Sequence, residues 1–290
     1  VLVATDFTLD GDRAVRRAGR LPLAKDASLV LTHVLPTSLE RSAVSVVTGA
    51  ANVELDAARI KLAELLVRRG LPEVTIRTRV TRGDAATEIA RAAQANGAEL
   101  IVVGRGGSRL SGTFLGSTAQ RVARNALLPV LLVRQQPVAP YRRVVLGFDL
   151  SADALRAGRL AVRLAGSPKA PIFAVHAYLD PRADVAPTLI DAVAKARWRK
   201  FAPVLAEQSR RVRNRLRIVD PARRWSLSFK GGDPRVRLVE AVAKKQADLL
   251  VVGSRSRRGL PRLVLGSVAE AVLNRASSDV LISPRRRWLR

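Results

Sequence analysis

The chain repeats itself, and that repeat constrains its fold more than any other feature. Val1-Leu2-Val3-Ala4-Thr5-Asp6 returns as Val144-Val145-Leu146-Gly147-Phe148-Asp149. His33, late in the apolar run Leu29 to Leu35, returns as His176 within Ile172 to Tyr178. Gly83-Asp84 returns as Gly232-Asp233, and the run from Leu100 to Gly104 as Leu249 to Gly253. Gly116-Ser117 returns as Gly266-Ser267, with Pro129 to Leu132 matched by Asp279 to Ile282. The offset is 143 at the start, 149 in the middle and 150 at the end, so the second copy is expanded before its third strand. An ordered series of this kind is a tandem duplication.

Within each copy, short apolar runs alternate with longer helical patterns. The first copy predicts strands near 1–5, 27–35, 74–80, 99–103 and 130–134, and helices near 10–23, 42–69, 84–96 and 116–125. Runs such as Leu100 to Val103 do not alternate polar with apolar, as expected of strands covered on both faces. Asp84 is placed to cap the third helix and Gly70 to end the second. Strict strand–helix alternation predicts a parallel sheet in a doubly wound α/β domain. The segment Gln135 to Pro140 holds two prolines and no helical pattern, which divides the chain into domains at 1–136 and 141–290.

Composition supports two ordinary cores, with 48% of the 290 residues hydrophobic. Cysteine is absent, which excludes disulfide scaffolds, thiol catalysis and zinc–cysteine sites. No apolar run approaches the ~20 residues of a spanning helix. No charged-then-apolar leader opens the sequence, so a soluble, cytoplasmic protein is expected. Methionine is also absent and Val1 to Ala4 already reads as a strand, so the natural chain is expected to start earlier.

In a doubly wound sheet the ligand crevice lies beyond the carboxyl ends of the strands, where the strand order reverses. Asp6 follows the first strand, His33-Val34 ends the second, and a glycine-rich stretch from Gly104 to Ser117 follows the fourth. Glycines let the backbone approach a bulky anion closely, and the helix opening at Gly116-Ser117-Thr118 turns free N–H groups to the same place. Phosphate suits that arrangement; a flexible loop ending in an ordinary helix start fits it equally well. It is not a Walker loop, because no lysine lies between residues 62 and 168. Nor is it the dinucleotide fingerprint, which follows a first strand.

Asp after the first strand, His-Val ending the second, Gly-Asp before the third helix and the late glycine loop together resemble the universal stress protein family, twice over. The resemblance implies a Rossmann-like, adenine nucleotide α-hydrolase-like fold whose two copies pack as a pseudo-dimer, with the last strands pairing across the interface. Ala4-Thr5-Asp6-Phe7-Thr8 looks like the nucleotide-binding branch, which holds ATP, with Mg2+ as a companion ion. Carried over by position, Asp6 and Val34 would face adenine beside Ala4, Val103 and Gly104. Gly106, Gly116, Ser117 and Thr118 would take ribose and phosphates.

Both copies depart from the family's loop of glycine, two residues, glycine, nine residues, glycine and Ser/Thr. In the first copy one residue separates Gly104 from Gly106, and choosing Gly107 instead shortens the second gap. A loop one residue short shifts a phosphate contact by up to ~3.5 Å. In the second copy, whose corresponding residues are Asp149, Gly253, Ser256, Gly266 and Ser267, the loop has full length. There Ser256 replaces the middle glycine and Ala177 stands where Val34 does. The first copy is thus the stronger nucleotide site.

Other readings stay open for individual residues. Asp6 and Asp149 also suit local turn caps. His33 and His176 are the only histidines and share one strand position, which fits a duplicated packing role better than catalysis. No triad or metal motif is present in the sequence, which points away from a true enzyme. Slow ATP hydrolysis or autophosphorylation at Ser108, Ser111 or Ser117 is the furthest such reading.

Charge adds a further class of partner. The chain carries 51 Lys and Arg against 24 Asp and Glu, a net +27, of which residues 1–140 supply +7 and the remainder +20. The surplus gathers at Arg197 to Lys200, Arg210 to Arg217, Arg223 to Trp225 and the tail Arg285 to Arg290. Four more arginines, at 255, 257, 258 and 262, lie in the second glycine-loop equivalent. Interleaved arginine and tryptophan suit nucleic acid or an anionic lipid surface. A nucleotide-free adaptor acting through the second copy is therefore the alternative function, and further association into a homodimer remains open.

Overall fold

The computed structural model describes residues 1–106, 116–178, 180, 190–254 and 265–284, with the backbone alone at 190–194. The first copy runs β1 (Leu2–Ala4), α1 (Leu9–Ala18), β2 (Ser28–Leu35), α2 (Arg41–Arg68), β3 (Thr75–Arg82), α3 (Ala85–Ala95), β4 (Ile101–Gly104), α4 (Ser117–Asn125) and β5 (Val130–Val133). The second repeats the order as β6 (Val144–Gly147), α5 (Ala152–Leu164), β7 (Ile172–Tyr178), α6 (Ile190–Val219), β8 (Ser226–Gly231), α7 (Pro234–Lys245), β9 (Leu249–Gly253), α8 (Ser267–Arg275) and β10 (Asp279–Ser283). One element differs from its expected length. Helix α1 stops at Ala18 rather than near 23, because the chain turns at Gly19 and Pro22 lacks the N–H a continuing helix needs.

The ten strands among the described residues form one sheet in the order β3-β2-β1-β4-β5-β10-β9-β6-β7-β8. Pairing is parallel within each copy and antiparallel between β5 and β10, where Val280 faces Leu132 and Ile282 faces Val130. The last strands therefore join the copies edge to edge, which also removes two exposed edges. Successive residues of each strand feed opposite faces. Val3, Leu31, Val102 and Leu131 pack under α1, α2, α5 and α6, whereas Leu2, Ile101, Val103 and Leu132 pack under α3, α4, α7 and α8. With helices on both faces, the central strands are buried up to their carboxyl-terminal residues, which explains the uninterrupted apolar runs.

Caps form where the sequence places them. The Asp84 carboxylate accepts the Thr87 N–H at the start of α3, and Gly70 takes φ +71 just past the end of α2. In each copy the strand order reverses between its first and fourth strands, β1–β4 and β6–β9, and a crevice opens at their carboxyl ends.

Candidate functional site

The first crevice begins with the turn after β1. Oδ1 of Asp6 accepts the Thr8 N–H at 3.1 Å and the Thr8 hydroxyl at 2.6 Å. Thr8 in turn accepts the Gly11 N–H and caps α1. The turn forces Phe7 to φ +61, a region few non-glycine residues enter. Its ring stacks on His33 with centroids 4.4 Å apart, and His33 Nδ1 donates to the Thr5 carbonyl at 2.9 Å. The second copy repeats the device: Asp149 accepts the Ser151 N–H at 3.0 Å, Leu150 has φ +67, and His176 Nδ1 donates to the Phe148 carbonyl at 2.7 Å. Both aspartates are turn acceptors, and both histidines pin the strained turn. Among the described residues, Asp6 Oδ2 carries no hydrogen bond and remains available to the crevice.

The glycine loop supplies the opposite wall. Gly106 has φ +60, and the Gly116 N–H donates to the Arg105 carbonyl at 3.0 Å, closing the neck of the loop. In the second copy Gly266 closes on the Ser254 carbonyl at 2.8 Å. The two necks match, so the one-residue difference in length falls wholly between them, outside the described residues. Gly107, Ser108, Ser111, Ser256 and the arginines at 255, 257, 258 and 262 lie there too, as does the tail Arg285 to Arg290 beyond β10. Helices α4 and α8 start at Gly116 and Gly266 without a side-chain cap, unlike α1, α3, α5 and α7. Their first N–H groups therefore remain free to meet an anion.

These walls enclose about 440 Å³ in the first copy. Ala4, Asp6, Val34, Val103, Gly104, Gly106, Gly116, Ser117 and Thr118 all line this cavity, so nearly every residue singled out from sequence converges there. Sequence reasoning missed Asp10, Gly11, Thr32, Ala85 and Ile89, which line it as well. Thr32 is the most informative of these. It is 0% exposed, and its Oγ1 has no hydrogen-bond partner among the described residues. The available signal was a lone hydroxyl in the apolar run Leu29-Val30-Leu31-Thr32, set against Val175 in the second copy.

The second crevice holds only about 150 Å³. Asp149, Gly253 and Gly266 line it, but Val175, Pro234, Leu238 and Val268 stand where the first copy has Thr32, Ala85, Ile89 and Thr118. Leu238 packs so closely over Gly147 that a Cβ there would lie 3.1 Å from it. The space is smaller, and its wall has lost two hydroxyls and a backbone N–H. Only the larger cavity falls within the few hundred Å³ usual for small-molecule sites.

Around the first crevice, Arg121 of α4 grips Asp84 through two hydrogen bonds, 2.7 and 2.8 Å, and holds its carboxyl down to about 2. Asp10 pairs with Arg13 at 2.7 Å. No group of three or more metal-ligating side chains occurs among the described residues. One basic cluster proved structural. Arg223 is held by Asp220 and by the Ala170 carbonyl, and the Trp225 indole donates to the Asp220 carbonyl. That arginine and that ring are occupied in holding α6 to β8, so the run Arg223 to Trp225 does not offer the free stacking surface expected of it.

Fold and crevice define a tandem, doubly wound α/β protein whose candidate binding site lies at a topological switch point. The model of the universal stress protein family matches residues 1–134 and again 140–284. The chain belongs to that family, as a tandem member. It is similar to a universal stress protein of Mycolicibacterium smegmatis, 29% identical over 97% of this chain and 96% of that one. A universal stress protein of Methanocaldococcus jannaschii is 30% identical over 49% of this chain and 81% of its own length. Among solved structures, a universal stress protein from Archaeoglobus fulgidus shares the fold across 98% of both chains, with a TM-score of 0.67 at 18% identity. No helix among the described residues is long and apolar enough to cross a membrane.

Proposed function

We propose that the first copy binds ATP or a closely related adenine nucleotide and that the protein acts by occupancy rather than turnover. The observation that carries this reading is the asymmetry of the two crevices. The first has about 440 Å³ and, among the described residues, a buried hydroxyl with no hydrogen-bond partner, whereas the second has about 150 Å³ and valine in place of that hydroxyl. The base would lie between Asp6, Val34 and Val103, with the phosphates toward Gly106, Gly116, Ser117 and Thr118. Any Mg2+ would ride on the phosphates. Nucleotide binding at this crevice would alter which partner docks there.

Native mass spectrometry with ATP, beside CTP and after a high-salt wash, tests the proposal. One ATP per chain, excluded by Asp6→Ala and not replaced by CTP, is the expected result. Two ATP per chain would overturn the asymmetry, and none would overturn nucleotide binding. The second reading, an adaptor engaging a polyanion through the second copy, is favoured by the +20 carried after residue 140.

A further inference from the structure

Helix α6 carries nine bases and two acids over its 30 residues, whereas its counterpart α2 carries four bases and three acids over 28. Both helices belong to one gene, so a genome-wide preference for arginine affects them equally and cannot produce the difference. The bases are also ordered. At 100° per residue, Lys195, Arg199, Arg210, Arg213 and Arg217 fall within about 60° of one another. All five are exposed. They span ~33 Å of helix at the usual rise, close to the ~34 Å of one duplex turn.

The helix is clamped with this line outward. Val212 and Leu216, 1% and 0% exposed, lie about 130° and 90° round the helix from the centre of that line. Toward its start the Trp198 ring packs on Phe201, and Phe201 on Tyr178. Glu207, on the flank, takes Arg210 and Arg211. Arg199, Arg213 and Arg217 have no ion-pair partner among the described residues. A membrane-surface helix needs a free apolar face, and that of α6 is spent on the sheet. Single strands need open aromatic platforms, and Trp198 is half-buried against Phe201.

We propose that α6 is a docking surface for duplex nucleic acid, which it holds by the backbone phosphates without reading sequence. The proposal does not rest on nucleotide binding in the first copy. Each phosphate neutralised contributes about −0.9 to the slope of log K against log salt. The full chain is titrated against a fluorescent 30-base-pair duplex of mixed sequence at several salt concentrations. A variant carrying Arg199→Gln, Arg210→Gln, Arg213→Gln and Arg217→Gln is compared with one carrying Arg41→Gln, Arg59→Gln, Lys61→Gln and Arg68→Gln, which removes four charges from α2. The α6 variant should lose at least tenfold in affinity at 100 mM salt, with the slope reduced by about 3 to 4. The α2 variant should keep both within about twofold. Equal losses in the two variants would reduce the effect to net charge and overturn the proposal. So would absence of duplex binding by the parent, or preference for single strands or phosphatidylserine vesicles over the duplex. Circular dichroism of both variants establishes that they are folded.

Discussion

Arg17 Nε lies 3.0 Å from Asp279 Oδ2, joining residues 262 apart in sequence and placed in opposite copies. The pair is buried. Oδ2 also accepts the Tyr141 hydroxyl at 2.7 Å, and Oδ1 accepts the N–H groups of Arg134 and Gln135 at 2.8 and 2.9 Å. Arg17 donates in addition to the Ala139 carbonyl, and its guanidinium sits 4.1 Å from the centre of the Tyr141 ring. One carboxylate thus gathers α1, both ends of the linker and β10. The internal symmetry is broken here, since Leu160 and Pro129 occupy the equivalent positions. Burial pushes the Asp279 carboxyl up, while Arg17 and the hydrogen bonds hold the charged form in place.

Removing one partner of such a pair leaves an uncompensated buried charge. Arg17→Leu should lose about 3–5 kcal/mol in urea unfolding. Adding Asp279→Asn to that variant should recover part of the loss, because the stranded charge goes with it. A double variant less stable than Arg17→Leu alone would show that the ion pair is not the reason for the arrangement.

The clamp between Asp84 and Arg121 predicts a pH dependence. The carboxyl is held at about 2, below its ordinary 3.8, chiefly by the hydrogen bonds from Arg121. A depressed carboxylate contributes stability above its unfolded value, and loses it as pH falls through the folded one. The stability difference between parent and Arg121→Ala should therefore be full above pH 4 and fade between about 4 and 2. Carboxyl NMR should show the Asp84 midpoint return toward 3.8 in the variant.

Thr32 offers a substitution with two opposed effects. Its buried hydroxyl has no hydrogen-bond partner among the described residues, and the second copy has valine at that position. Thr32→Val should raise the melting temperature by about 2 °C, as relief worth about 1 kcal/mol implies. The same change should weaken ATP binding. A lower melting temperature would mean that the hydroxyl already has a partner, such as an ordered water.

Two glycines of the crevice should fail for different reasons. A Cβ at Gly104 would fall 2.3 Å from the Asp10 carbonyl oxygen, a backbone atom that cannot yield cheaply. At Gly106 a Cβ meets, among the described residues, only the Gly116 Cα, at 3.8 Å, and alanine there is strained by φ +60. Gly106→Ala should cost about 1–2 kcal/mol, and Gly104→Ala clearly more. Thermal unfolding of the two variants gives the order directly.

Periodicity and repeat spacing determined a great deal by themselves. They set two doubly wound copies, with each element within a few residues of its place, and brought Asp6, Val34, Gly104, Gly106 and Gly116 to Thr118 toward one crevice. These features are local, because strand and helix patterns and caps depend on neighbours in the chain. The tertiary structure alone decided which crevice is open. That turns on how Leu238 packs over Gly147, 91 residues away in the chain. It also decided that Arg223 is a strut, whereas five of the nine bases of α6 form one exposed line. Finally, it produced the Arg17–Asp279 lock, since no residue pattern encodes a contact that exists only once β5 and β10 have joined the copies.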